Sequence, residues 1–422
     1  MGLGGGIGSP QIRSAAFIGS SSVEMFNASI VSGTQFVMRN EGFGVWACGF
    51  LRQRMMLAWN PVTNNYHFGA AGVNTDVMRT SASLAPAAVT SQPDVVFVYA
   101  GMTECATNTA TTAAVALTRI QALHDYLVAG GIKKIVIMAT GPRNAAAANG
   151  SGYFARQQAL IAELAAWTSA NGILYCDSNP AIQNLATGEW LPGYTLDGVH
   201  PSYIGAMELG RSLANWCLAN LNLGPEPLTA SRIAALRGSN PLNTGGSGGL
   251  ATNYTRNNAA ATTPFLEDAT DGGARWQGLT FFNPSNATWT SNVTNITGAN
   301  VNLADVGISA GQLVRSWVET NFSGGLQRLD FNAAANGTGL PRLSGTFMWG
   351  TNVNAGADRP QWPAVNQNLV FAGPVLAIPN DATVIATGAG IGSNMTNVPS
   401  TFRFRYLGFE PVSSRATPTI GS

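Results

Sequence analysis

The sequence is short of charge. Only 10% of its 422 residues are Asp, Glu, Lys or Arg, and the net charge is +1. Soluble domains usually carry about a quarter. Asn, Thr, Ser, Gln and backbone must therefore cover most of the surface. No long basic run is present, so no nucleic-acid partner is expected. Histidine is scarcer still, with only three in the chain, His67, His124 and His200. Without Cys/His ligand spacing or an Asp-x-Asp-x-Asp-Gly loop, neither a catalytic zinc nor a calcium site is expected. The four cysteines, Cys48, Cys105, Cys176 and Cys217, form no CxxC pair. Each sits in an apolar context, as buried free thiols do. No apolar run reaches the roughly 18 residues a membrane span needs, so no membrane partner is expected. The Gly-rich N-terminus has no charged n-region followed by an apolar core, so no signal peptide is read there. Gly2 to Gly8 and Gly245 to Gly249 open no helix after a strand, and read as flexible ends or linkers rather than phosphate cradles.

What is present is 45% apolar residues, ample for buried cores, in a chain long enough for two domains. Residues 14–223 alternate between two periods. Ala15 to Gly19, Asp94 to Ala100, Lys133 to Ala139 and Ile173 to Cys176 read as short buried strands, and Tyr66 to Gly69 as another. Val45 to Trp59, Ala113 to Val128, Tyr153 to Ala170 and Tyr203 to Leu221 carry apolar residues at helical spacing. Strand-helix alternation predicts an α/β fold. The expected form is a flavodoxin-like three-layer sandwich around a five-stranded parallel sheet. Ligands of such sheets bind beyond the carboxyl ends of the strands, and Ser21, Gly72 and Thr103 all follow predicted strands.

After Leu223 the pattern changes. Residues 1–13 read as a flexible N-terminus, 14–223 as the α/β domain, 224–261 as a linker, and 262–422 as an all-β domain of sandwich or jelly-roll type. Leu279 to Phe282, Leu313 to Val318, Gly345 to Trp349, Leu369 to Phe371, Thr383 to Ala386 and Thr401 to Tyr406 are its candidate strands, separated by Gly, Asn and Pro. Trp276, Trp289, Trp317, Trp349 and Trp362 are expected mostly in its core, with one or two free to stack on sugar rings.

Three residues point to acyl-transfer chemistry. Ser21 stands in the Gly-Ser turn after the first strand. Asp197 and His200 lie in Asp197-Gly198-Val199-His200-Pro201. A serine attacks, an imidazole takes its proton, and a carboxylate orients the imidazole. Taken singly, each has a plainer reading. The Ser20-Ser21-Ser22 run suits a helix cap, and a His before Pro suits a loop. His67 reads as structural, His124 as a solvated helix residue, and Glu104 as a partner for loop backbone.

Four segments in order resemble the SGNH, or GDSL-type, hydrolases. They are Gly19-Ser20-Ser21, His67-Phe68-Gly69-Ala70-Ala71-Gly72, Gly101-Met102-Thr103-Glu104, and Asp197 with His200. The resemblance covers about the first 220 residues. It implies Ser21 as nucleophile, His200 and Asp197 as its partners, and an oxyanion hole from Ser21, Gly72 and Thr103. Ser20 replaces the usual Asp of the first segment. Thr103 replaces the usual Asn, whose amide donates to the oxyanion. The resemblance implies a serine esterase without metal or organic cofactor. Its expected substrate is an acyl ester, O-acetyl for preference, on a carbohydrate. The competing reading is a weakened or inactive relative that binds glycan or builds a structure. An extracellular or virion-associated setting, such as a phage component, fits the composition, as does assembly into a homo-oligomer or virion.

Overall fold

The computed structural model describes residues 10–24, 28–31, 35–39, 42–195, 197–257, 262–281, 293–323, 328–337, 340–344, 346–349, 363–365, 367–373, 375–392 and 400–415. The chain divides into two compact units. Among the described residues, one takes 10–24 and 42–225, and the other takes 28–31, 35–39 and those from 226 to 415.

The first unit is organised by apolar runs too short for helices. β1 (Ser14–Gly19) leads into a single turn of helix, α1 (Ser21–Glu24). The hairpin β2 (Ala28–Val31) and β3 (Gln35–Arg39) follows, and it belongs to the other unit. The chain returns as α2 (Phe43–Phe50), wholly buried, then β4 (Met56–Leu57) and β5 (Phe68–Gly69). α3 (Thr75–Thr80) and α4 (Ala85–Ser91) precede β6 (Val95–Tyr99). The rest is α5 (Met102–Cys105), α6 (Ala113–Ala129), β7 (Ile135–Met138), α7 (Tyr153–Asn171), β8 (Leu174–Cys176) and α8 (Tyr203–Asn220).

All pairings in this sheet are parallel, in the order β4-β1-β6-β7-β8. β4 pairs with Ser14 and Ala15, and β5 with Ile18 and Gly19, so two short strands pair with successive parts of β1. Every residue of β6 and β7 is buried, as strands covered on both faces require. Phe17 of β1 stacks on Phe97 of β6 at 4.8 Å. α6 turns Ala116, Ile120, Leu123 and Leu127 to the core, and Thr112 caps its first turn. The flavodoxin-like parallel sheet read from the sequence is therefore present. The helix expected over Val45 to Trp59 is not: it ends at Phe50. Arg52 and Gln53 turn the chain at φ of 52° and 60°, and Met56–Leu57 joins the sheet. Apolar spacing alone cannot separate a helix from a helix followed by an edge strand. All four cysteines are buried free thiols.

Among the described residues, the second unit is an antiparallel sandwich with one parallel pair. It begins with α9 (Ala230–Ala235), capped by Thr229. β9 (Tyr254–Asn257), β10 (Thr262–Glu267), β11 (Trp276–Phe281), β12 (Val293–Gly298) and β13 (Val301–Asn302) follow. Next come β14 (Leu313–Phe322), β15 (Arg328–Gly337), β16 (Leu340–Ser344) and β17 (Thr346–Trp349). β18 (Leu369–Ala372), β19 (Leu376–Ala377), β20 (Ala382–Gly392) and β21 (Ser400–Val412) complete it. One sheet runs β10-β11-β21-β14-β18, and the other runs β2-β3-β17-β15-β20-β12-β9. Phe331 of the second sheet meets Phe402 of the first at 5.7 Å. Val314 and Phe409 share a core cluster with Ala335 and Ile385. These contacts make the all-β region a sandwich.

Two expected boundaries change. Residues 28–31 and 35–39 pair within the β unit, where β3 runs parallel to β17. The stretch expected as a linker, 224–261, carries α9 and β9, and Arg237 pairs with Phe409. Two of its glycines are tightly packed: a Cβ would stand 1.9 Å from the Leu250 carbonyl oxygen at Gly246 and 2.1 Å from the Pro264 carbonyl oxygen at Gly249. Glycine there answers a close backbone approach rather than a need for slack. The expected flexible N-terminus lies outside the described residues up to Ser9, while Ile12 is buried and bridges to Leu223. Trp276 and Trp317 are buried, as expected of core residues. Trp289 and Trp362, and the side chain of Trp349, lie outside what is described.

Candidate active site

The site lies at the carboxyl ends of the parallel strands, and each part is held by local chemistry. β1 ends at Gly19, where any side chain would collide: a Cβ would stand 2.5 Å from Val23 Cγ2 and 2.8 Å from the Tyr99 carbonyl oxygen. Without a side chain the strand can turn at once into α1. That puts Ser21 at the first position of α1, half-buried, with Ser20 and Ser22 buried on either side.

The partner loop joins β8 to α8. His200 Nε2 and Ser21 Oγ are 2.8 Å apart. His200 Nδ1 and Asp197 Oδ2 are 2.7 Å apart. An ionised carboxylate can only accept, so Nδ1 carries the ring proton and Nε2 is left to accept from the serine hydroxyl. The other carboxylate oxygen, Asp197 Oδ1, accepts from the backbone N–H of Val199 at 2.9 Å and of His200 at 2.8 Å. Burial alone raises the Asp197 pKa. The hydrogen bonds from the His200 backbone and ring and from the Val199 backbone outweigh it and hold the carboxyl below its ordinary value.

Gly72 lies after β5 on an exposed turn at φ 69°, with open space where a side chain would be. That left-handed backbone suits glycine and leaves its N–H side unobstructed by any side chain of its own. Thr103 behaves differently from expectation. Its Oγ1 donates to the carbonyl of Val73 at 2.8 Å, so its one proton is directed at the Gly72 turn. A hydroxyl has a single proton to give. As bonded here, Thr103 braces the turn, and its one proton is taken by the Val73 carbonyl.

Glu104 is fully buried, and its Oε1 accepts from the Thr75 backbone at 2.7 Å, tying α5 to the start of α3. A bond to loop backbone is expected of it; the partner is instead the first residue of a helix 29 positions earlier. His67 is buried with Nδ1 accepting from the Gly69 backbone at 3.3 Å and Nε2 2.7 Å from Asn65 Nδ2. Desolvation lowers its pKa to about 4. It is a structural histidine beside the Gly72 turn. His124 is less solvated than expected, with its ring edge against Trp167 at 5.5 Å.

Several supporting side chains carry no motif. Thr140 Oγ1 donates to Ala100 O at 3.0 Å, and the Thr140 carbonyl accepts from Gln157 Nε2 at 2.8 Å and Asn179 Nδ2 at 2.9 Å. This buried network ties the ends of β6 and β7 to the segment after β8. Asn144 N donates to Gly198 O at 2.8 Å, while its Oδ1 accepts from Trp190 N at 2.9 Å. Thr195 Oγ1 donates to His200 O at 2.7 Å and accepts from Gly198 N at 2.8 Å. The signal for Thr195 in the sequence is only a Thr shortly before an Asp-Gly, a common turn pattern.

A Ser-His-Asp hydrogen-bond chain at the end of a parallel sheet can raise the nucleophilicity of the serine and return a proton to a leaving group. The N-terminal half carries a GDSL-like lipase/acylhydrolase domain: residues 17–206 match the GDSL-like Lipase/Acylhydrolase family model. Solved structures are also similar to this half of the chain. A GDSL-like lipase from Bacteroides thetaiotaomicron shares 18% identity over 49% of this chain and 87% of its own, with a TM-score of 0.36. A carbohydrate acetylesterase from Sinorhizobium meliloti shares 14% over 49% of this chain and 99% of its own, with a TM-score of 0.37. A carbohydrate esterase family 3 protein from Talaromyces cellulolyticus shares 13% over 49% of this chain and 97% of its own, with a TM-score of 0.36. No curated protein matches the chain.

Proposed function

We propose that the N-terminal unit is a serine esterase that hydrolyses acyl esters, O-acetyl for preference, carried on a carbohydrate. The observation that carries the reading is the hydrogen-bond chain Ser21–His200–Asp197, at 2.8 and 2.7 Å. In the reaction, Ser21 Oγ bonds to the acyl carbon as its proton passes to His200 Nε2. Asp197 holds the ring and offsets the imidazolium charge. The oxyanion accepts from the backbone N–H groups of Ser21 and Gly72. Collapse breaks the bond to the alcohol oxygen, which takes the proton from His200. Water, deprotonated by His200, then cleaves the acyl-serine to the carboxylic acid and free Ser21.

The choice of acetyl and of a carbohydrate carrier rests on analogy with SGNH hydrolases joined to a β domain, which often act on acylated glycans. The low-charge, Asn/Thr/Ser-rich composition supports a setting outside the cell or on a virion. A second reading, a glycan-binding relative with weak chemistry, is favoured by one observation, the Thr103 hydroxyl bonded to Val73.

The experiment is hydrolysis of p-nitrophenyl acetate by the wild type and by Ser21→Ala. Turnover that disappears with the substitution supports the esterase, and equal background in both supports the binder. Acetyl, butyryl and octanoyl esters separate a deacetylase from a lipolytic enzyme, because a long-acyl optimum contradicts the acetyl assignment. Labelling by a fluorophosphonate should map to Ser21.

A further inference from the structure

The loop that carries Asp197 and His200 is closed by one hydroxyl. Thr195 Oγ1 accepts from Gly198 N at 2.8 Å and donates to the carbonyl of His200 at 2.7 Å. Asp197 Oδ1 takes the N–H groups of Val199 and His200. Three successive backbone donors, at 198, 199 and 200, are thus bound inside the loop, two by the carboxylate and one by Thr195. The hydroxyl also grips the backbone of His200 itself. Gly198, at φ 78°, lets the loop curl this tightly.

We propose that Thr195 is a positioning residue for the Asp197–His200 pair, an inference that rests on the esterase reading for its effect on rate. The Nδ1–Oδ2 bond of 2.7 Å spans two side chains on one short, half-exposed loop. If the backbone at His200 shifts, the ring loses its alignment with Asp197 and with Ser21 on a different element. A small misplacement of a reacting group is enough to cost about 100-fold in rate. The base of the loop is fastened independently. Ser202 N donates to Tyr194 O at 2.8 Å, and Ser202 Oγ donates to Gly193 O at 2.7 Å. Removing the Thr195 hydroxyl should therefore loosen the loop without unfolding the unit.

The test compares Thr195→Val with Thr195→Ser in the full chain. With p-nitrophenyl acetate, Thr195→Val should lower kcat on the order of 10- to 100-fold with KM within about threefold. Thr195→Ser should restore most of the loss, and the melting temperature of both should stay close to wild type. A second readout needs no turnover. With only three histidines in the chain, histidine labelled with heavy nitrogen lets the Nδ1–H proton of His200 be identified by its disappearance in His200→Gln. Thr195→Val should broaden or abolish that resonance, and Thr195→Ser should keep it. An unchanged resonance in Thr195→Val overturns the proposal, as does a loss that tracks a fall in melting temperature and is not rescued by serine. If the wild type proves no better than Ser21→Ala, the esterase reading fails, and the resonance still decides the role of Thr195.

Discussion

The Thr103 hydroxyl donates to the carbonyl of Val73, one residue past Gly72, at 2.8 Å. The family resemblance implies an asparagine amide aimed at the oxyanion where Thr103 stands, yet the Thr103 proton faces the turn instead. If Thr103 braces the turn, Thr103→Val should change kcat/KM for p-nitrophenyl acetate by less than about fivefold. A direct oxyanion donor would cost on the order of 100-fold or more when removed. Thr103→Asn offers an amide with two protons on a longer arm, and should raise kcat. A large loss in Thr103→Val would return the residue to the oxyanion hole.

Asp197 fixes the ring tautomer as well as its orientation. Asp197→Asn keeps an oxygen for the Val199 and His200 backbone donors, but can offer an amide N–H to Nδ1. The proton then moves to Nε2, which can no longer accept from Ser21. The expected result is a fall in kcat on the order of 10⁴ with little change in thermal stability. A fall of only a few-fold would mean that the serine is activated by another route.

The parallel sheet was legible because β6 and β7 are apolar throughout, and burial on both faces allows little else. The Asp197–His200 contact was legible because both partners lie on one short loop. Ser21 reaches them only through the sheet, and the family resemblance supplied that link. The hairpin β2–β3 was not legible. Its pairing of Val37 with Thr346 joins residues about 300 positions apart, and a short strand carries no mark of such a partner. Gly245 to Gly249 misled for a related reason. Glycine marks both slack chain and tight packing, and only coordinates separate the two. Thr195 and Thr140 were invisible because a hydroxyl that binds backbone looks like any threonine in a sequence.

His67 gives the N-terminal unit a dependence on acid pH. Its pKa falls from the ordinary 6.5 to about 4 in the folded protein because burial disfavours the charged ring. Below pH 6.5 the unfolded chain binds a proton that the folded one refuses, so stability rises with pH across this window. The contribution is complete above pH 6.5 and is lost as pH falls toward 4, with a limit of about 3 kcal/mol. Urea unfolding at pH 7.5 and pH 4.5 should show the loss in the wild type. His67→Gln should be less stable at pH 7.5 and should flatten the difference between the two pH values. An equal slope in both proteins would assign the acid sensitivity to other groups.

The β unit holds a charge pair with almost no access to water. Arg405 Nε and Glu319 Oε2 are 2.6 Å apart, with side chains 3% and 1% exposed. The same guanidinium bonds Asp271 and lies over the Trp276 ring at 4.3 Å. Its hydrogen bond to Asp271 holds that carboxyl well below the usual range. The two acids differ in burial, since Asp271 is about half exposed. Breaking a buried pair leaves an uncompensated charge and costs about 3 to 5 kcal/mol, whereas an exposed partner is worth less than about 1 kcal/mol. Glu319→Gln should therefore lower the unfolding transition of the β unit sharply, and Asp271→Asn only slightly. Calorimetry of the full chain should show the shift in one transition, with esterase activity retained at temperatures below it. Equal shifts from the two substitutions would mean that solvent screens Glu319 as fully as Asp271, against the burial of its side chain.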